Sequence, residues 1–209
     1  MSSSLTAAPS DVQGSDARFN TIPSLDGAPP LVTVRHLTKT YRGRPALCDL
    51  SLSLPAGRII GLMGANGCGK TTLLKILAGV LADYEGQVRI AGHAPGPLSK
   101  ALVSFLPDAD FLATSLTPPR AIAQFSRLFA DFDAAKARRL VDFFALPAER
   151  SIKEMSKGMG EKLRISLAMS RRARVYLLDE PISGIDPAAR DVILSGILRD
   201  FAPEALMLI

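Results

Sequence analysis

Residues 64–72 read Gly64-Ala65-Asn66-Gly67-Cys68-Gly69-Lys70-Thr71-Thr72 and fit the spacing G-x-x-x-x-G-K-[ST]. An apolar β-type run, 59–63, precedes them, and Leu73, Leu74, Ile76, Leu77 and Val80 follow at helical spacing, predicting a helix over 71–81. A strand, a glycine-rich loop and a helix in that order are what wrapping a phosphate requires. Backbone N–H groups must point inward through a curvature that side chains would block, and the helix N-terminus adds a favourable dipole. Lys70 is placed to neutralise β- and γ-phosphate oxygens, and the Thr71 hydroxyl to ligate a bridging Mg²⁺. Cys68 is either a small residue filling the loop or a thiol made reactive by phosphate-binding dipoles.

Further along, 175–178 form an apolar strand ending in Asp179-Glu180-Pro181. Side chains alternate along a strand, so the two carboxylates serve different places. Unpaired charge beside a core is unfavourable, which argues against a packing role. Asp179 reads as a Mg²⁺ ligand and Glu180 as the general base that positions water for attack on the γ-phosphate.

The rest of the 209 residues suits one globular domain with a modest insertion. Hydrophobic residues are 47% and charged residues 22%, excluding a disordered, collagenous or disulfide-stapled chain. A net charge of +5 and a pI near 9.5 suit anionic ligands or a membrane surface without by themselves indicating nucleic acid. Cys48 and Cys68 are too few for a disulfide framework and are expected to be free, as in a reducing compartment. No apolar run reaches the ~18 residues of a membrane span, and residues 1–30 lack a secretory pattern and read as a flexible tail, or one that recruits a partner. From Leu31, strands are expected at 31–35, 48–54, 59–63, 87–91 and 175–178, with a last apolar run at 205–209. Two helical patterns lie between 95 and 148, one running through Ala121, Phe125, Leu128, Phe129 and Phe132, the other through Ala135, Leu140, Val141 and Phe144, and a further helix covers 158–172. Alternating strands and helices give an α/β fold on a mainly parallel sheet.

Two further segments make the set specific: Ser156-Lys157-Gly158-Met159-Gly160 opens a helix between the phosphate loop and the acidic strand, and Ser183-Gly184-Ile185-Asp186 follows the acids. Alone, the first is a capped helix start. Together with the loop and the acids, they resemble the ATP-binding subunits of ABC transporters over residues 31–209. The resemblance implies a P-loop NTPase core with a mainly parallel sheet, an antiparallel β subdomain and an inserted helical subdomain over about 95–172. It implies ATP and Mg²⁺ as cofactors, and ATP hydrolysis that powers a separate permease through nucleotide-driven dimerisation. The expected partners are a second ATP-binding subunit, identical or different, and a transmembrane permease, with no nucleic acid. The expected location is peripheral, at the cytoplasmic face of the cell membrane.

Residue by residue, the resemblance places adenine against Tyr41, otherwise a surface tyrosine, and presents Ser156 and Gly158 to the ATP of the other subunit. Asp186 falls on the loop that crosses the dimer interface, and the Phe125, Phe129 and Phe132 stripe either receives the permease or belongs to the core. Asp108 stands where the family carries a glutamine, and either ligates Mg²⁺ or leaves that loop to work through other contacts. Lys157 and Met159 lean towards the ATPases of exporter-type systems. The family's switch histidine falls beyond Ile209, with His36 and His93 too early to replace it, so the chain reads as a truncated frame or fragment. A non-hydrolysing nucleotide-binding module is the alternative; a soluble ATPase of this type acting on ribosomes or DNA fits the modest charge less well.

Overall fold

The structure, a computed structural model, describes residues 3–6, 20–21 and 29–209. Its central sheet is parallel throughout, in the order β1 (Ser3–Thr6), β5 (Arg58–Met63), β9 (Leu206–Leu208), β8 (Val175–Leu178), β7 (Val103–Leu106). Buried strands in such a sheet have no solvent face, so their residues are apolar without alternation. Tyr176, Leu178 and Met207 point into a core shared with the helices, while Val175, Leu177, Leu206 and Leu208 point into a second core under the other sheet. That other sheet runs β2 (Asn20–Thr21), β4 (Arg44–Leu54), β3 (Val32–Tyr41), β6 (Glu85–Ile90), with β3 antiparallel to both β4 and β6.

Helix α1 (Lys70–Leu77) leaves the phosphate loop and buries Leu73, Leu74, Ile76 and Leu77 between the sheets. It is shorter than the 71–81 expected because Gly79, at φ +67°, takes the left-handed position that closes a helix, and Val80 N–H turns back to the Lys75 carbonyl at 2.9 Å. Val80, counted into the helical stripe by spacing, is exposed.

After α2 (Pro97–Ala101), the region expected to be helical first contributes β7 to the central sheet, so 103–106 belong to the core and not to an insertion. The helices proper are α3 (Pro118–Leu128) and α4 (Ala134–Phe143), packed against α5 (Lys157–Met169). Phe129 and Phe132 lie beyond the end of α3, which corrects the single helical face expected for the phenylalanines. Their rings still converge on Phe125 at 5.4 and 5.7 Å, and all three pack into the helical core. Helix α6 (Pro187–Arg199) follows the acidic segment. Within the segment expected to be a tail, Ser3–Thr6 pairs with β5 and Asn20–Thr21 with β4; its other residues up to 28 lie outside the described ones. Among the described residues, no helix is long and apolar enough to cross a membrane.

Candidate functional site

In a parallel sheet the loops leaving the carboxyl ends of the strands share one edge. The phosphate loop leaves β5 and Asp179-Glu180 leave β8 on that edge, with only β9 between them. Gly69 caps α1 at φ +98°, and a Cβ there would run into the Ala46 carbonyl oxygen and lie 2.8 Å from a Leu47 methyl. The glycine is thus required twice over, by conformation and by space.

The loop's Lys70 Nζ donates to the carbonyls of Gly64 at 2.9 Å and Ala65 at 3.3 Å, and lies 3.7 Å from Glu180 Oε1. Next to it, the Thr71 hydroxyl donates to Asp179 Oδ1 at 2.9 Å, joining two residues 108 positions apart in the sequence. Asp179 is 2% exposed, and its Oδ2 has no hydrogen-bond partner among the described residues. Burial pushes its carboxyl above the usual carboxylate range; the Thr71 hydrogen bond opposes this, and the charges of Asp108 and Glu180 add to it. A buried carboxylate with one bonded and one orphaned oxygen, beside a hydroxyl, fits a hard cation such as Mg²⁺. No group of three or more His, Cys, Asp or Glu suited to a metal occurs among the described residues. Such a cation would therefore complete its oxygen shell from the phosphates and water rather than from a protein cage.

Glu180 takes φ +51°, a left-handed conformation that a non-glycine residue holds only when its surroundings impose it. The turn keeps its carboxylate half-exposed beside Lys70 while Asp179 points inward. The two neighbouring acids thus face different places, through the left-handed turn at Glu180 rather than through strand alternation, since β8 ends at Leu178. A cavity of about 420 Å³ runs along this edge, lined by Lys70, Asp179, Glu180, Ser183 and Arg190 among others.

Asp108 follows β7 on the same edge. The Asp179 N–H donates to the Leu106 carbonyl at 2.9 Å, which holds the two strand ends level. Arg164, on α5, binds this loop through the Asp108 carbonyl at 3.4 Å and the Asp110 carboxylate at 3.0 Å, and pairs with Glu161 on its own helix. Glu161 is buried, and burial lifts its carboxyl above the usual range against the pull of Arg164. Sequence reasoning passed over this clamp, although Glu161 and Arg164 stand at the three-residue spacing of a helical ion pair.

Ser156, Gly158, Asp186 and Tyr41 make no hydrogen bond to this centre among the described residues. Ser156 caps α5, its hydroxyl accepting from the Met159 N–H at 3.3 Å, and Gly158 sits in the first turn. Asp186 caps α6, accepting from the Ala189 N–H at 2.9 Å. Tyr41 ends β3 and is 45% exposed. Beneath it lies Lys39, a second residue the sequence reading missed: its ammonium sits 4.9 Å from the ring centroid and 2.6 Å from Asp83 Oδ2. The signal was the two-residue spacing, which puts 39 and 41 on one side of the strand.

Comparison with known proteins agrees with this geometry. The sequence profile of the family described as ABC transporter matches residues 47–183, more than half of the chain. The ABC transporter ATP-binding protein YtrB of Bacillus subtilis is 28% identical over 174 residues, covering 82% of this chain and 60% of that protein. A spermidine/putrescine import ATP-binding protein, PotA, of Legionella pneumophila is 33% identical, covering 80% of this chain and 48% of its own length. A Nod factor export ATP-binding protein I of Paraburkholderia xenovorans is also 33% identical, covering 74% and 54% respectively. The chain thus spans about half the length of these relatives. A solved ATP-binding subunit of an ABC transporter superposes with a TM-score of 0.72 at 26% identity, covering 85% of this chain and 78% of that one. Profile, relatives and fold agree: the chain belongs to the ABC transporter family, as one of its nucleotide-binding domains.

Proposed function

We propose that the chain binds and hydrolyses ATP and thereby powers a separate membrane permease, two such subunits closing on nucleotide. The observation that carries this reading is the Thr71–Asp179 hydrogen bond of 2.9 Å with Asp179 Oδ2 left over, alongside Lys70 and Glu180 at 3.7 Å. In it, the amides of Gly64, Ala65, Asn66, Gly67, Cys68 and Gly69 cradle the phosphates and Lys70 neutralises their terminal oxygens. Thr71 and Asp179 hold Mg²⁺, with Asp108 in reach of the same field, and the Thr72 hydroxyl extends the cradle. The cation, when bound, spreads charge over the β- and γ-phosphates and eases departure of the γ-phosphoryl group. Glu180 orients a water and accepts its proton as the oxygen attacks phosphorus; ADP leaves and inorganic phosphate forms.

Tyr41 stacks on the adenine. Ser156 and Gly158, at a helix N-terminus, and Asp186 offer a second anion-binding face that only a facing subunit, identical or different, would use. A permease partner puts the chain at the cytoplasmic face of the cell membrane as a peripheral subunit. The exporter leaning rests on Lys157 and Met159; the relatives' own names include both export and import. A second reading, a nucleotide-binding module without turnover, is favoured by Asp108, whose charge opposes ionisation of Asp179.

Mg²⁺-dependent ATP hydrolysis by the chain at high concentration, with Glu180→Gln as the blank, separates the two. Turnover at least about a hundredfold above that blank supports hydrolysis with Glu180 as the base; ATP binding without turnover supports the module. Lys70→Ala should weaken ATP binding itself, and unchanged affinity would remove Lys70 from the phosphate site.

A further inference from the structure

We propose a second anion site, at the end of the central sheet opposite the phosphate loop, that takes the phosphoryl group of a small soluble ligand. In the β3–β6 ladder Thr33 faces Arg89 and Arg35 faces Gln87. Alternation buries Val32, Val34, Val88 and Ile90, so these four side chains stand together on the outer face. Arg174 joins them from the residue before β8, held there by its backbone N–H to the Leu102 carbonyl at 2.9 Å. Together with Ala56 and other small or apolar residues they line a cavity of about 710 Å³, larger than the one beside Lys70.

The charge of this cavity is one-sided. Among the described residues no Asp or Glu lines it, and none of its three arginines forms an ion pair there. Arg164, Arg171 and Arg172, by contrast, each have a carboxylate within 4.0 Å. Arg35 and Arg89 are diagonal neighbours on adjacent strands, where like charges repel, and guanidinium does not lose its proton to relieve the strain. A bound oxyanion relieves it: each guanidinium fork matches two phosphate oxygens, and Gln87 and Thr33 add neutral donors. A cavity of this size holds a small molecule rather than a nucleic-acid track. Arg58–Met63, six residues long, lies between Ala56 and the phosphate loop, which sets the two sites about 20 Å apart.

The test titrates inorganic pyrophosphate into the full chain carrying Lys70→Ala, which disables the phosphate loop, and reads binding by calorimetry. One saturable site is expected. It should weaken at least about tenfold in Arg35→Gln/Arg89→Gln, and again, independently, in Arg174→Gln, which sits on a different element. All these side chains are exposed, so thermal unfolding should stay at the parent's value, and ATP binding with Lys70 restored should be unchanged. Equal pyrophosphate affinity in parent and arginine variants overturns the site. So does failure of pyrophosphate to bind while phosphatidylcholine vesicles containing phosphatidylglycerol bind and lose the chain in the arginine variants; the cluster would then face a membrane.

Discussion

Two buried charges, Arg171 at 8% exposure and Asp179 at 2%, are treated in opposite ways by the fold. Arg171 sits where β7, α5 and the turn after α3 meet. Its Nε donates to Asp131 at 2.9 Å, its Nη1 to the Val103 carbonyl at 3.0 Å, and its Nη2 to Asp131 at 3.0 Å and to the Ala101 carbonyl at 3.3 Å. The Phe129 ring covers the guanidinium at 4.2 Å, and the residue's own carbonyl accepts from Tyr176 Oη at 2.6 Å. Asp179 has one hydrogen bond and one oxygen with nothing to accept from among the described residues. A buried polar group is unfavourable unless satisfied, so the satisfied one reads as structure and the unsatisfied one as a place prepared for something else.

Breaking the satisfied charge should do the greater damage. Arg171→Ala strips Asp131 of its partner and frees the buried Val103 carbonyl and that of Ala101, with an expected loss of about 3 kcal/mol in urea unfolding. A loss below about 1 kcal/mol would mean that neighbouring groups or water replace the guanidinium easily. Second in size is a change beside the unsatisfied charge. Gly69→Ala combines a left-handed φ with a collision against the Ala46 carbonyl, for about 2–3 kcal/mol and a collapse of ATP affinity. Gly67→Ala, at φ +82° but with nothing within 4 Å of a new Cβ, separates the two causes and should lose only about 1 kcal/mol.

Asp179→Asn sharpens the comparison further, because it keeps the acceptor for Thr71 and removes the charge. The folded-state carboxyl titrates above its unfolded value of 3.8, so whatever stability its proton contributes is present at low pH and lost as pH rises through the folded value. At pH 7 the parent therefore carries a buried charge that the variant does not. The variant should be more stable there by about 1 kcal/mol, with the advantage shrinking as pH falls towards 4, while Mg²⁺-dependent turnover drops. A variant less stable than the parent at pH 7 would mean that the charge is already compensated in the free protein.

The half of the site that depends on spacing was readable in the sequence, because a phosphate cradle needs glycines, a lysine and a hydroxyl in fixed order and a strand ending in acids has few packing explanations. What was unreadable depends on partners distant in sequence. Val103–Leu106 is a four-residue strand in a stretch otherwise helical, and only its pairing with β8 makes it part of the sheet. Phe129 and Phe132 keep a helical spacing that the backbone abandons at Leu128, since their rings are held by contact with Phe125 rather than by helix geometry. The pairing of Ser3–Thr6 with β5 leaves no local pattern at all. Arg164 could be read as a helical ion pair with Glu161, but its hold on the Asp108 loop could not.

Lys39 provides the smallest and most discriminating test, because it is a satisfied buried charge beside the tyrosine proposed to stack on adenine. Its side chain is 6% exposed, paired with the surface carboxylate of Asp83 and stacked against one face of Tyr41. If the rule drawn from Arg171 holds here, Lys39 serves by fixing the ring, leaving the ring's other face to meet the base. Lys39→Met preserves most of the volume and leaves Asp83, 93% exposed, in water, so folding should survive. ATP affinity should fall about two- to fivefold, the worth of a cation–π contact of roughly 0.5–1 kcal/mol. Tyr41→Leu should lose about tenfold, as expected for removing an aromatic stack. The double variant should lose no more than Tyr41→Leu alone, since the lysine acts only through the ring. Additive losses would place the ammonium on the nucleotide itself and make Lys39, unlike Arg171, a charge kept for the ligand.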